Sequence, residues 1–362
     1  MPRISSETHI SPNFKAGEWE SLRTKLSLTV DGAWTEDWDK CLKILSERVD
    51  YRFFSPVRLI LDKDKKQGEG FTITAVLCIL LEFFSALHAG KIYTTRVLKE
   101  GEKLLPFQYN SSAGLIKEFL TKQPPFKDYF NNATADKFYS DVRCGILHEA
   151  RTKSNWKIKL QNGDKLIEKI GSDIILYRTG FFNALTAWFE LYKLEVKTNT
   201  NLRSNLLRKM DDILDNKRCL YFAYGSNMDV KQLKDRIGFL HYNYRAVLSD
   251  YRFAFNKPSI DGSGKANIVK QDGSIVYGIV YEIDKDALPV LKKYEIGYAM
   301  VDLDVKLLES GEMVKCAVFV CNNYVNQIEP TAQYFDKIIG ALKKFDFPQE
   351  YISETGNLKY KT

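Results

Sequence analysis

Tyr221-Phe222-Ala223-Tyr224-Gly225-Ser226-Asn227-Met228 is the stretch on which the reading of this chain turns. Bulky residues on either side of Ala223, followed by Gly-Ser-Asn, predict a short buried strand that runs straight into a tight turn. Asp229 and the pattern Val230, Leu233, Ile237 then predict that a helix begins at once. Strand, loop and helix N-terminus in that order gather unpaired backbone N–H groups, which suits an anion or a developing oxyanion. Taken alone, the same residues also make an ordinary strand-to-helix turn, and the choice rests on what surrounds them.

Downstream the chain has β character. Tyr244 to Phe255, Lys265 to Val269, Ser274 to Tyr281, Ala299 to Leu307 and Glu312 to Asn322 alternate or run apolar in strand-length pieces. A short helix is expected around Pro289 and Leu291, and a closing helix over Thr331 to Phe345. Upstream the character is helical. Trp38, Leu42, Leu45 and Val49, then Phe53, Phe54, Val57 and Ile60, recur at helical spacing, with Pro56 bending or breaking the run. Phe71 to Leu87 reads as a buried helix, Ala113 to Leu120 as a short one ended by Gln123-Pro124-Pro125, and a further helix is begun by Thr134 as N-cap. Trp156 to Leu160, Asn162-Gly163 and Leu166 to Ile170 read as a hairpin with a type I′ turn. Ile174 to Val196 and Leu202 to Leu214 are the last two helices expected before the charged Asp215-Asn216-Lys217-Arg218.

A length of 362 residues exceeds one ordinary core, and the change from helix to mixed structure divides it. The expected organisation is multi-domain, α and α+β: an arm at 1–33, a helical domain at 34–215 and a mixed domain at 216–362. The 53 Lys and Arg against 46 Asp and Glu give a net charge of +7, which permits a phosphate-bearing partner without requiring one. Six cysteines form no CxxC pair and only four histidines could join them, so neither a metal site, a cofactor nor a disulfide framework is expected. Reduced thiols and the polar start from Met1 to Lys15, which lacks the apolar core of a signal peptide, point to a cytoplasmic protein. Glu82 and His88 interrupt the most apolar run, so no membrane span is expected.

Arg143 and His148 are the chemical residues of the first half. Five residues apart, they stand about 140° around a regular helix and share no face. An irregular turn at Arg143, or two copies of the helix packed across a dimer axis at Gly145, would bring them together. Together they suit metal-independent phosphodiester cleavage, with His148 as general acid or base and Arg143 bracing the phosphorane charge. The other reading is a core histidine beside a salt-bridged arginine. Phe138 to Thr152, with Gly70-Phe71, Leu80-Leu81-Glu82-Phe83 and Asn155-Trp156, resembles a HEPN domain of the kind carried on plasmids and other mobile elements. That resemblance, over roughly 35 to 195, implies a helical bundle, a homodimer, RNA as partner and a ribonuclease site at Arg143 and His148. Cys144 stands where a polar residue often follows the arginine.

Ala266-Asn267-Ile268-Val269, Gly273 to Tyr281 and Leu288 to Tyr298 follow Tyr224 to Met228 in the order of γ-glutamylcyclotransferase-like proteins, which the second half resembles from about 219 to 325. The resemblance implies a mixed β-barrel with helices outside and a γ-glutamyl small molecule bound by Tyr224, Gly225, Ser226, Asn227 and Tyr298. It also implies Glu295 as the acid/base that releases 5-oxoproline. A glutamate in that role is expected to be partly buried with a raised pKa. Lys292 and Ile296 depart from an aspartate and a glycine common in the family. The whole reads as an enzyme, a toxin- or defence-like HEPN ribonuclease joined to a cyclotransferase-like domain. The alternative is a non-catalytic protein that binds nucleic acid or a partner and retains both folds.

Overall fold

A computed structural model describes residues 5–30, 32–63, 68–95, 104, 106–161, 163, 165–214, 218–238, 240 and 242–358. Two compact units are present, one of Met1–Arg96 with Pro106–Asp215, the other of Val97–Leu105 with Asn216–Thr362. Of the expected boundary only Arg218 is described; residues 215–217 lie outside the described residues, as do 64–67 of the charge run and Asn162 of the expected turn.

The first unit runs β1 (His9–Ser11), β2 (Phe14–Lys15), α1 (Ala16–Thr29), α2 (Glu36–Val49), α3 (Ser55–Asp62), α4 (Glu69–Ala89), β3 (Ile92–Tyr93) and β4 (Gln108–Tyr109). It continues with α5 (Ala113–Lys122), α6 (Asn132–Lys137), α7 (Cys144–Glu149), β5 (Trp156–Lys159), β6 (Ile167–Ile170), β7 (Asp173–Tyr177), α8 (Arg178–Glu195) and α9 (Thr200–Ile213). Its core is aromatic. Phe84 of α4 stacks on Phe189 of α8 at 5.2 Å and meets Trp188 at 4.7 Å. By length and composition α4 could cross a membrane, yet most of its apolar window is buried inside the protein.

Several local expectations are corrected here. Residues 1–33, expected as an arm, carry α1, whose Trp19 and Leu26 are fully buried. Trp19 Nε1 donates to Asp211 Oδ1 (3.1 Å) and Arg23 Nε pairs with Asp211 Oδ2 (2.9 Å), tying the segment to α9. Pro56 sits in the first turn of α3, and the run from α2 stays helical because Asp50–Phe54 widens into a π turn. Asn131, not Thr134, caps α6, its side chain accepting from Thr134 N at 2.9 Å. The hairpin of β5 with β6 does not form. β7 lies between them, parallel to β5 and antiparallel to β6, so the tight connection is at Gly171 between β6 and β7. Residues 174–177 belong to that strand rather than to α8.

The second unit runs β8 (Arg218–Ala223), α10 (Val230–Ile237), β9 (Tyr242–Pro258), β10 (Gly264–Asp284), α11 (Ala287–Lys292), β11 (Ala299–Leu307), β12 (Met313–Val320), α12 (Ala332–Lys344) and α13 (Gln349–Gly356). The strands close into a mixed barrel in the order β10-β8-β12-β11-β9. β10 joins the two strands expected at 265–269 and 274–281, with register shifts at Lys265/Ala266 and Lys270/Ile275. Phe222, Phe255, Ile268, Val280 and Val318 fill the interior. β8 lies antiparallel to β10 and parallel to β12, so its C-terminal end delivers Tyr224 and the turn after it from the middle of the barrel wall.

Candidate active site

Ser226–Met228 forms a single 3₁₀ turn between β8 and α10. Met228 N donates to Gly225 O (3.0 Å), and Asp229 caps α10 by accepting from Gln232 N (2.7 Å). The first N–H groups of such a turn have no acceptor within it. Gly225 sits close to β10: a Cβ there would stand 3.1 Å from Ala266 Cβ.

Asn227 is 4% exposed and satisfied on both ends. Its Nδ2 donates to Tyr221 Oη and Glu295 Oε1, both at 2.8 Å, and its Oδ1 accepts from Arg236 Nη1 at 2.7 Å. Glu295 follows α11 in a short turn, and its side chain is 15% exposed. Burial pushes its carboxyl above the ordinary value, opposed by Arg236, the Asn227 hydrogen bond and Lys257. Tyr298 Oη donates to Ala266 O (2.6 Å), and Tyr334 Oη accepts from Ala266 N (3.2 Å). These groups enclose a cavity of about 30 Å³, room for a water molecule or two and far less than the roughly 300–1,000 Å³ of a typical small-molecule pocket.

Glu295, Tyr224, Gly225, Ser226, Asn227 and Tyr298 therefore share one cavity. Tyr224 contributes its ring, since its hydroxyl is committed to the Phe319 carbonyl at 2.5 Å. Arg236 and Tyr334 escaped the sequence reading, and Tyr221 entered it only as a strand residue. The spacing of Gln232 and Arg236, four apart on α10 and so on one face, was the available signal for the first. Tyr334 comes from α12 and had none. Among the described residues no group of three or more His, Cys, Asp or Glu could hold a metal ion.

The first unit holds a second chemical cluster. Phe138–Arg143 is a π turn between α6 and α7, an irregularity that frequently marks functional sites. Arg143 and His148 both line a cleft of about 650 Å³ with Glu82, Tyr109, Tyr139 and Lys209. Arg143 Nη2 pairs with Glu82 Oε2 at 2.6 Å, while its buried Nε has no acceptor among the described residues. His148 is exposed, which removes the core-histidine reading. Gly145 has a reason within the chain: its Cβ would lie 2.5 Å from Arg151 O, where the chain folds back and Lys153 N donates to Asp141 O (2.8 Å).

The second unit is thus a closed barrel with a largely buried carboxylate, Glu295, held against a Gly-Ser-Asn turn. The family model described as γ-glutamyl cyclotransferase, AIG2-like, matches residues 221–336. The γ-glutamylcyclotransferase of Bos taurus is 29% identical over 154 residues, 40% of this chain and 81% of that protein. That of Homo sapiens is 29% identical over 146 residues, 38% of this chain and 77% of that protein. A solved structure of a γ-glutamyl cyclotransferase aligns at 27% identity with a TM-score of 0.38, covering 40% of this chain and 90% of the other. Residues 221–336 are a γ-glutamylcyclotransferase-like domain. Nothing in these comparisons identifies the N-terminal half as HEPN.

Proposed function

We propose that the C-terminal domain is a γ-glutamyl cyclotransferase that releases 5-oxoproline from γ-glutamyl compounds. The carrying observation is Glu295, largely buried, raised in proton affinity and hydrogen-bonded to the Gly-Ser-Asn turn at 2.8 Å. As general base it takes a proton from the substrate's α-amine. The freed nitrogen attacks the γ-carbonyl carbon, closing a five-membered ring. The bond to the leaving nitrogen then breaks, and that nitrogen receives the proton Glu295 took. Because amine and carbonyl belong to one molecule, holding the glutamyl chain folded supplies much of the acceleration. The N–H groups opening the turn at Gly225 and Ser226 suit the developing oxyanion. A glutamyl group needs more room than about 30 Å³, so binding widens the cavity. Purified protein given a panel of γ-glutamyl compounds is expected to release 5-oxoproline, and Glu295→Gln to lower kcat by about 10²–10⁴-fold with substrate affinity retained. Absence of product across the panel, or an active Gln variant, would refute the reading.

A second reading concerns the first unit and is favoured by one observation, that Arg143 and His148 line one cleft although regular helical spacing separates them. In it a HEPN-type homodimer cleaves RNA, His148 moving the proton and Arg143, released from Glu82, meeting the phosphate. Cleavage that persists in EDTA, leaves a 2′,3′-cyclic phosphate and is lost in His148→Ala is the expected outcome. Intact RNA with wild-type protein leaves this unit a partner-binding module.

A further inference from the structure

Gln232 and Arg236 stand one turn apart on α10 and both reach back to the loop before it. Gln232 Nε2 donates to Ser226 Oγ at 2.9 Å and to Asn227 Oδ1 at 3.3 Å, and Arg236 Nη1 donates to Asn227 Oδ1 at 2.7 Å. With its oxygen held by a cation, the Asn227 amide turns its nitrogen towards Tyr221 Oη and Glu295 Oε1. Rotating that amide by half a turn would set oxygen against carboxylate and NH₂ against guanidinium, losing charge-assisted bonds on both sides. The same Arg236 nitrogen lies 3.4 Å from Glu295 Oε1. Oε1 therefore receives two donors, while Oε2 accepts no hydrogen bond among the described residues. The guanidinium also lies 5.0 Å from the centroid of the Tyr294 ring.

We propose that Arg236 is a positioning residue of the cyclotransferase site: it locks the Asn227 amide so that Glu295 is gripped through Oε1 and presents Oε2 to the substrate's amine. The inference rests on the cyclotransferase reading for its chemistry, but its geometry can be tested without turnover. The groups that face Glu295 are Arg236 on α10, Lys257 on β9, Tyr221 on β8, Tyr224 and Tyr298 beside the cavity and Tyr334 on α12. Burial pushes all four tyrosines above their ordinary value, and the charges that oppose the burial of the Glu295 carboxyl are those of Arg236 and Lys257. Removing the cation at 236 raises the proton affinity of Glu295. The base form is present only above that value, so the acid limb of the reaction moves to higher pH.

The test uses full-length protein labelled with ¹³C-glutamate, the Glu295 carboxyl resonance being assigned by its loss in Glu295→Gln. In Arg236→Gln, which keeps a donor for Asn227 but no charge, the titration midpoint is expected to shift upward. In Arg236→Lys it returns towards wild type, and Arg236→Lys also covers the case in which Arg236→Gln fails to fold. In the activity arm, kcat for 5-oxoproline release in Arg236→Gln falls by about tenfold to a hundredfold, with an acid limb displaced to higher pH. An unmoved midpoint, or an unmoved acid limb with wild-type kcat, overturns the proposal and leaves Arg236 a packing partner of Tyr294. If wild-type protein releases no 5-oxoproline, the cyclotransferase reading fails by that result, and the titration still decides whether Arg236 governs Glu295.

Discussion

Holding Glu295 in its largely buried place has a cost in stability, and the sign of that cost is testable. Burial raises its native pKa above that of the unfolded chain. Protonated Glu295 therefore favours the native state at pH below the ordinary carboxylate range, and the contribution is lost as pH rises through the raised native value. Above that raised value the ionised, largely buried side chain opposes folding. Glu295→Gln, neutral at every pH and of the same shape, is expected to melt at a higher temperature than wild type at pH 7 while being inactive. The gap should close as the pH is lowered into the range where both side chains are neutral, and thermal melts at several pH values measure it. Gly225→Ala should act oppositely: its Cβ at 3.1 Å from Ala266 Cβ presses the turn off the β10 bulge. At this scale the sequence was informative where chemistry sits in the residue type, as at Glu295 and the Gly-Ser-Asn turn. It was silent on Arg236, whose part depends on which way an amide nine residues earlier is turned, and on Tyr334, brought in by a helix at the far end of the unit.

Elements show the same division between local and distant causes. The turn after β8, the cap at Asp229 and the closing helix were legible because each is set by neighbours in sequence. β7 was not. Ile174, Ile175, Leu176 and Tyr177 precede Arg178 with no Gly or Pro between, and nothing local separates an apolar strand from the first turn of the helix it enters. What makes it a strand is its pairing with both β5 and β6, and β5 ends fourteen residues before it. The expected hairpin failed for the same reason: β5 finds its partner by a parallel pairing that turn chemistry does not encode. Gly145 gives this scale its prediction. A Cβ there meets a backbone oxygen, Arg151 O, at 2.5 Å, and backbone cannot rotate aside. Gly145→Ala should therefore destabilise the first unit by about 1–3 kcal/mol, in the range of other overpacked sites, and displace the chain after α7. A melting midpoint equal to wild type would show that the fold-back yields freely.

Two units with separate cores make this chain a poor two-state folder. Calorimetry of the full-length protein is expected to resolve two transitions, with Gly145→Ala lowering one and Glu295→Gln raising the other. A single transition shifted by both substitutions would contradict that independence. The change from helical to mixed character was readable from composition and periodicity, whereas barrel closure was not, since it depends on strands meeting across the unit. That closure is uneven. β9 and β10 are registered from Gly264 opposite Pro258 to Glu282 opposite Tyr242, whereas β11 meets β9 at Lys306 and Leu307, and β12 meets β8 at one pair, Ala317 opposite Tyr221. Amide exchange with deuterium should therefore run at two speeds, slow along the β9–β10 ladder and fast along the β8–β12 seam. Tyr221 is also the residue whose hydroxyl meets Asn227, so the seam that exchanges soonest runs beneath the cavity. Breathing along it gives the wall behind that cavity of about 30 Å³ a place to yield.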